Sequence, residues 1–176
     1  VICTIHDIVS LDNIESKNIL SKWIYKIANK ILTHNYFSAN IFKQNYREVD
    51  DDIGIIPHGN YVPFIKIEKD RNNSRKILGI PQDKKVLLFF GMIKKVKGLD
   101  VMLESLKEVV SKHSDTLLVI AGKVWKDDFS YYQQIIDEND LTENCLIHNH
   151  FIPHQDVSHY YASADLVVLP YKRIYQ

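Results

Sequence analysis

Val86-Leu87-Leu88-Phe89-Phe90-Gly91-Met92-Ile93-Lys94-Lys95-Val96-Lys97-Gly98-Leu99-Asp100 carries the reading of this chain. Its first five residues are wholly apolar and end at a glycine. A short apolar run closed by a turn residue reads as a buried strand of a parallel sheet. Beyond the second glycine, Leu99, Met102, Leu103, Leu106 and Val110 recur at helical spacing. Three lysines therefore stand where a strand ends and a helix begins. Ligands of open α/β sheets bind at the carboxyl ends of the strands. A helix N-terminus adds free backbone N–H groups and partial positive charge, which suit a phosphate. The loop reads as a diphosphate site. Taken alone it also reads as a solvated cationic loop. It has neither the G-x-x-x-x-G-K-[S/T] nor the G-x-G-x-x-G spacing.

The flanking sequence alternates strand and helix in the same way, which is the pattern of parallel sheets with crossover helices. Downstream, residues 116–121 predict a strand ended by Gly122-Lys123, and residues 130–139 a helix. Residues 145–148 predict a weaker strand, residues 155–162 a helix, and residues 166–169 a buried strand ended by Pro170-Tyr171. Upstream, residues 1–5 predict a buried strand with His6-Asp7 at its carboxyl end. Residues 16–31 predict a helix capped by Ser16, with Ile19, Leu20, Trp23, Ile24, Ile27 and Ile31 on its apolar face. Ile31-Leu32-Thr33 predicts a short strand, Ser38 the cap of a helix to about residue 44, and residues 53–56 a strand closed by Pro57-His58-Gly59. Residues 60–74 are of mixed charge with weak periodicity, as a linker would be. A short helix over 71–78 is ended by Gly79 and Pro81.

Bulk properties exclude several classes. The chain has 176 residues, 45% hydrophobic and 25% charged, with formal net charge zero. That is enough for a real core. Without an excess of Lys and Arg it lacks the charge of a general nucleic-acid binder. No run of 18 apolar residues and no signal peptide is present, and Cys3 and Cys145 form no spaced motif, so a reducing cytoplasm is the expectation. Asn72-Asn73-Ser74 matches a glycosylation sequon, a pattern common by chance. The chain opens on Val1 inside an apparent strand and stops at Gln176 soon after another, as a fragment of a longer protein would.

His148, His150, His154 and His159 lie close in sequence, but no Cys or acidic partner stands at ligand spacing, so packed or solvated histidines are the expectation and no metal site is assigned. No G-x-S-x-G elbow is present. Cys145 sits in an apolar strand and reads as an inert thiol. His6 follows a buried strand at the ligand-binding end. His58 ends another strand on the same side, and Gly59 would allow close backbone approach or a positive φ.

Together these stretches resemble the retaining glycosyltransferases of GT-B fold, family 4 of the usual classification (glycosyl transferases group 1). The resemblance rests on Thr4-Ile5-His6-Asp7, Ile55-Ile56-Pro57-His58-Gly59, residues 89–100, Leu118-Val119-Ile120-Ala121-Gly122-Lys123, and the run from Tyr160 through Ala164-Asp165 to Pro170-Tyr171. It implies two Rossmann-like lobes with parallel sheets, both incomplete here: residues 1–60 from the acceptor-binding lobe, 61–81 an interlobe linker, and 82–176 from the donor-binding lobe. It also implies sugar transfer from a nucleotide-sugar donor to a saccharide or lipid-linked acceptor, with retention of configuration and no metal or other cofactor.

By the same resemblance Gly91, Lys94 and Lys97 bind the donor diphosphate. His6 is the catalytic histidine near the sugar. His150, Phe151 and Ile152 meet the base, and His58 and Gly59 line the cleft. Met92 departs from the family's usual Arg, and His150 from a usual glycine. The family's two Glu, eight residues apart, are expected beyond Gln176, so this chain alone is expected to be inactive. Cytoplasmic location is implied, with peripheral membrane association open to the complete protein and nucleic acid not expected. The alternative is a non-catalytic α/β module that binds a nucleotide or sugar phosphate.

Overall fold

The computed structural model describes residues 1–6, 19–47, 53–60, 70–126 and 128–172. It divides into two compact units, Val1–Asn60 and Tyr61–Lys172, each with a parallel sheet of its own.

In the first unit the order is β1 (Ile2–Thr4), α1 (Ile19–Ile27), β2 (Lys30–Thr33), α2 (Tyr36–Asn45) and β3 (Ile53–Ile55). The three strands pair in parallel in sequence order, with Cys3 opposite Ile31 and Ile31 opposite Ile53. Ile5, Ile31 and Phe42 form the buried core, and Tyr25 meets Phe42 edge-on with ring centroids 5.1 Å apart.

Four expectations change here. β1 is not the buried strand expected of residues 1–5, since Ile2 is 68% exposed and Cys3 is only partly covered. Ile31 belongs to β2 and not to the preceding helix, because Lys30–Thr33 pair on both sides. The helical face carrying Trp23, Ile24 and Ile27 is exposed, Trp23 to 67%. The helix instead gives Tyr25 to this unit's core. The cap of α2 is Asn35, whose side-chain oxygen accepts the Ser38 N–H at 2.7 Å, while Ser38 lies buried inside the helix. Ser16, the expected cap of α1, lies outside the described residues.

The second unit holds α3 (Arg71–Leu78), β4 (Lys85–Phe90), α4 (Leu99–Lys112), β5 (Thr116–Ala121), α5 (Ser130–Glu138), β6 (Cys145–His148), α6 (His154–Ser163) and β7 (Leu166–Val167). Its sheet runs β6-β5-β4-β7, all parallel. Alternation along the strands divides the core. Phe89, Leu118 and Ile120 face Leu99, Leu103 and Leu106 of α4 and Ile136 of α5. Val86, Leu88, Leu117 and Val119 face Tyr160 of α6 and Ile80. Both faces are covered, so all six residues of β5 are buried, as an apolar central strand requires.

β7 corrects the expectation of a buried strand. It pairs with β4, and Leu166 is 58% exposed. Among the described residues no strand pairs with its outer edge.

Residues 70–81 pack into this second unit. Asp70 caps α3 by accepting the Asn73 N–H at 2.9 Å, and Gly79 ends the helix in the left-handed region at φ 69°. Arg75, only 4% exposed, donates from Nε to the Ser163 carbonyl at 3.0 Å. Its Nη1 donates to the carbonyls of Gln82 and Lys84 at 2.9 and 3.0 Å, and its Nη2 to Asp165 at 2.9 Å. Asp165 also accepts the Val86 N–H at 2.7 Å and pairs with Arg71.

Burial pushes the Cys145 thiol up to about 12, so the nucleophilic thiolate is scarce at neutral pH. Cys145 is expected to resist a thiol reagent in the folded chain and to react once the chain is unfolded. Mass-spectrometric mapping of the alkylated cysteines checks this; rapid native labelling of Cys145 would contradict it. No helix among the described residues is long and apolar enough to cross a membrane.

Candidate active site

The loop after β4 is shaped by its two glycines. Gly91 has φ 101° and donates its N–H to the Ala121 carbonyl at 2.8 Å. A Cβ at Gly91 would sit 3.0 Å from the Lys97 ammonium nitrogen, so the glycine leaves that charge room to lie over the turn. Lys95–Lys97 form one 3₁₀ turn closed by the Lys97 N–H on the Lys94 carbonyl at 2.9 Å. Gly98, at φ 72°, then starts α4. A Cβ there would fall 2.1 Å from the Pro170 carbonyl oxygen. Residues 170–172 strap the loop from the other side. The Lys172 N–H donates to the Val96 carbonyl at 2.9 Å, the Lys172 ammonium pairs with Asp100, and Lys97 Nζ lies 5.4 Å from the Tyr171 ring centroid.

The loop after β5 is tied to the loop after β4. Ile93 is buried and bridges Val124 in parallel. Its N–H donates to the Lys123 carbonyl, and its carbonyl accepts the Trp125 N–H, both at 3.0 Å. Gly122, at φ 142°, passes so close that a Cβ would fall 2.1 Å from the Gly91 carbonyl oxygen.

Between these loops and the start of α6 lies a cleft of about 670 Å³ at the carboxyl ends of β4 and β5. Phe90, Gly91, Met92, Trp125, Phe151, Ile152 and Val157 give it an apolar lining, and Lys123, Lys126 and His154 add polar groups. No carboxylate lines it among the described residues. Lys94 and Lys126 lie over the Trp125 ring, 5.0 and 5.8 Å from its centroid, at cation–π distance. An apolar slot with cations at its mouth can hold a flat ring at one end and an anion at the other.

The sequence-derived residues divide over this geometry. Gly91, Phe151 and Ile152 line the cleft, and Lys97 sits above Gly91. His150 does not line it; it is exposed, and its N–H turns back to the His148 carbonyl at 2.9 Å. Trp125 is missed by the reading of the sequence, and Lys123 enters it only as the end of a strand, with no site role. A Trp three residues beyond Gly122, on the loop after a buried strand, is the signal that would have found them.

The histidines regroup. His148 shares a hydrogen bond of 2.8 Å with the Tyr160 hydroxyl, and His159 one of 3.1 Å with Ser74 Oγ, so that cluster is spread over separate partners. Burial, and then the neighbouring His150, hold the His148 pKa below its ordinary value.

In the first unit His6, His34 and His58 stand at the carboxyl ends of three adjacent strands, with ligand-capable atoms within 4.8 Å of one another. Among the described residues this is the group that could gather a metal ion. The rings of His34 and His58 stack, however, with centroids 3.7 Å apart. His34 already engages both of its ring nitrogens, one with the Ile56 carbonyl and one with His6. Gly59 has no positive φ, and a Cβ on it would meet nothing within 4 Å among the described residues.

The second unit is thus a parallel, Rossmann-like α/β unit with a cationic loop beside an apolar cleft at the carboxyl ends of its strands. Residues 70–173 match the family Glycosyl transferases group 1, and the chain belongs to that family. It is 30% identical over 147 residues to YtcC of Bacillus subtilis (strain 168), a glycosyltransferase by name, covering 78% of this chain and 36% of that protein. It is 27% identical over 123 residues to the lipopolysaccharide 1,2-N-acetylglucosaminetransferase of Salmonella typhimurium, covering 67% of this chain and 32% of that one. Among solved structures, Anabaena HepE in complex with UDP superposes with a TM-score of 0.78 at 17% identity, over 98% of this chain and 47% of its own. At that identity the likeness shows the fold, which is that of the GT-B glycosyltransferases. The chain thus spans roughly a third of these two curated relatives.

Proposed function

We propose that the complete protein is a retaining family-4 glycosyltransferase that moves a sugar from a nucleotide-sugar donor to a saccharide or lipid-linked acceptor without a metal. The observation that carries the reading is the Lys97 ammonium held over Gly91 beside a cleft free of carboxylates among the described residues. Glycosyl transfer releases a nucleoside diphosphate through an oxocarbenium-like state. Fixed cations lower that barrier by taking up the charge of the leaving group.

In this reading Lys97 and Lys94 meet the diphosphate, with Gly91 allowing close approach. Trp125, Phe151 and Ile152 hold the base, and His6 touches the donor sugar. HepE, of the same fold, has been solved with UDP, which supports a nucleotide in this cleft. The reading also places the protein in the cytoplasm, with the complete form able to associate with the membrane surface.

The test has two stages. Calorimetry of this chain with UDP, GDP and ADP is expected to find one that binds, with the matching nucleoside binding more weakly. The complete protein, given nucleotide sugars and acceptors, is expected to form a product whose anomeric configuration matches the donor's, as read by NMR. No binding to any nucleoside diphosphate would remove the diphosphate site. Binding without transfer by the complete protein would make this a non-catalytic binding module.

A further inference from the structure

His34 is held by both of its ring nitrogens. Nδ1 lies 2.9 Å from the Ile56 carbonyl oxygen, and Nε2 lies 2.8 Å from Nδ1 of His6. The frame around it is fixed. Thr33, its neighbour in β2, is fully buried, and Asn35 caps α2. The Ile56 carbonyl is held in turn, because the Ile56 N–H donates to the Thr33 carbonyl at 2.8 Å. His58 stacks on the open face of the His34 ring.

These contacts fix where the protons sit. A carbonyl only accepts, so Nδ1 of His34 carries a hydrogen. In neutral His34 the other nitrogen, Nε2, is then an acceptor, and Nδ1 of His6 must be the donor. Neutral His6 is left with a hydrogen on Nδ1 and a bare lone pair on Nε2. This is the order of parts in which one group orients a histidine through its rear nitrogen so that the front one accepts a proton. Here a second histidine, backed by a main-chain carbonyl, occupies the rear position.

We infer that His34 is a positioning residue that sets His6 in its Nδ1–H tautomer, so that His6 Nε2 accepts a hydrogen bond from a substrate hydroxyl and does not donate one to a phosphate. The inference deepens the proposed function and rests on it for the identity of that hydroxyl as one on the donor sugar. Nothing in the tautomer itself depends on that reading.

The test reads the tautomer first. Long-range ¹H–¹⁵N correlation of the histidine rings in this chain, at a pH where they are neutral, is expected to show His6 protonated on Nδ1 and bare on Nε2. His34→Phe keeps a ring to stack on His58 but offers no acceptor, and it is expected to return His6 to the Nε2–H form that free histidine favours. His34→Gln places an amide oxygen near the lost Nε2 and is expected to restore the Nδ1–H form. In the complete protein, His34→Phe should lower kcat about tenfold or more with little change in donor KM, and His34→Gln should recover most of it.

A wild-type His6 already in the Nε2–H form would overturn the assignment, whether or not His34→Phe folds. So would a folded His34→Phe in which His6 does not change. A tautomer that switches as described while transfer is unaffected would uphold the positioning role and remove His6 from the sugar site.

Discussion

Replacing Lys97 by alanine is expected to weaken nucleoside-diphosphate binding by roughly ten- to a hundredfold while leaving the nucleoside nearly untouched. One charge-assisted contact is worth about 1.5–3 kcal/mol. The ammonium is already placed, above Gly91 and beside Tyr171, so binding need not order it. Lys94→Ala should have a smaller effect, because that ammonium rests over Trp125 and must leave the ring to reach a phosphate. Lys95 is exposed within the same turn, and its alanine variant should change binding least. Titration calorimetry on the three variants with the matching diphosphate and nucleoside checks the order. Equal loss of both ligands in Lys97→Ala, or loss of neither, would take the loop out of the site.

The second large effect lies in the scaffold. Arg75→Ala is expected to cost the second unit about 2–3 kcal/mol, below the range for a fully buried ion pair because the Asp165 side chain is 39% exposed, with most of the loss coming from the carbonyls left without a donor. It would leave the carbonyls of Ser163, Gln82 and Lys84 without the guanidinium and Asp165 with Arg71 and the Val86 N–H alone. Lysine would recover little, since a point charge cannot serve four acceptors laid out for a planar fork. Trp125 reports on this unit once Trp23, in the first, is replaced by phenylalanine. Urea unfolding followed by its fluorescence gives the difference, and a loss below about 1 kcal/mol, the scale of a surface pair, would show that the network is not a structural tie.

Asp165 adds a pH dependence with a definite sign. Partial burial raises its pKa, but the Val86 N–H and the two arginines outweigh that and bring it below its ordinary value of 3.8. A carboxyl whose folded pKa is depressed contributes its full stability above the unfolded pKa and loses it as pH falls through the folded one. Stability of the second unit should therefore drop as pH falls below about 4. Asp165→Asn, less stable at neutral pH, should show a shallower drop over that window.

The sequence was most legible where one period governed a whole element. The run 116–121 is apolar throughout because both of its faces are covered, and α4 spans the residues its spacing predicts. The misreadings have a common cause, which is that periodicity identifies an apolar face but not what covers it. Trp23, Ile24 and Ile27 form such a face, and the first unit does not bury it. Leu166 and Val167 are as apolar as β5, but they lie at an edge.

Arg75 was illegible for the opposite reason. A single arginine in a polar stretch looks like linker charge, and its value comes from carbonyls donated by segments up to 88 residues away. His34 left a trace that the reading did not use. It follows β2 directly, and continuing the register that sets Thr4 opposite Leu32 brings it level with His6, while His58 lies three residues past β3. In a parallel sheet, equivalent positions after neighbouring strands meet.

The lattice of main-chain bonds between the two loops of the second unit has a practical side. Ile93 is clamped to Lys123, Val124 and Trp125, and Gly91 is pressed against Gly122. Residues that would choose the base and residues that would neutralise the leaving group thus share one rigid body. An engineer who reshapes the segment around Trp125 to admit a different nucleotide will move the Lys97 ammonium as well. Donor preference and turnover should then change together, and the gentler route is through the side chains of Phe151 and Ile152, which line the same cleft and whose segment meets the clamp through the Gly122 N–H on the His148 carbonyl at 3.1 Å and the Val124 N–H on Asn149 Oδ1 at 3.2 Å.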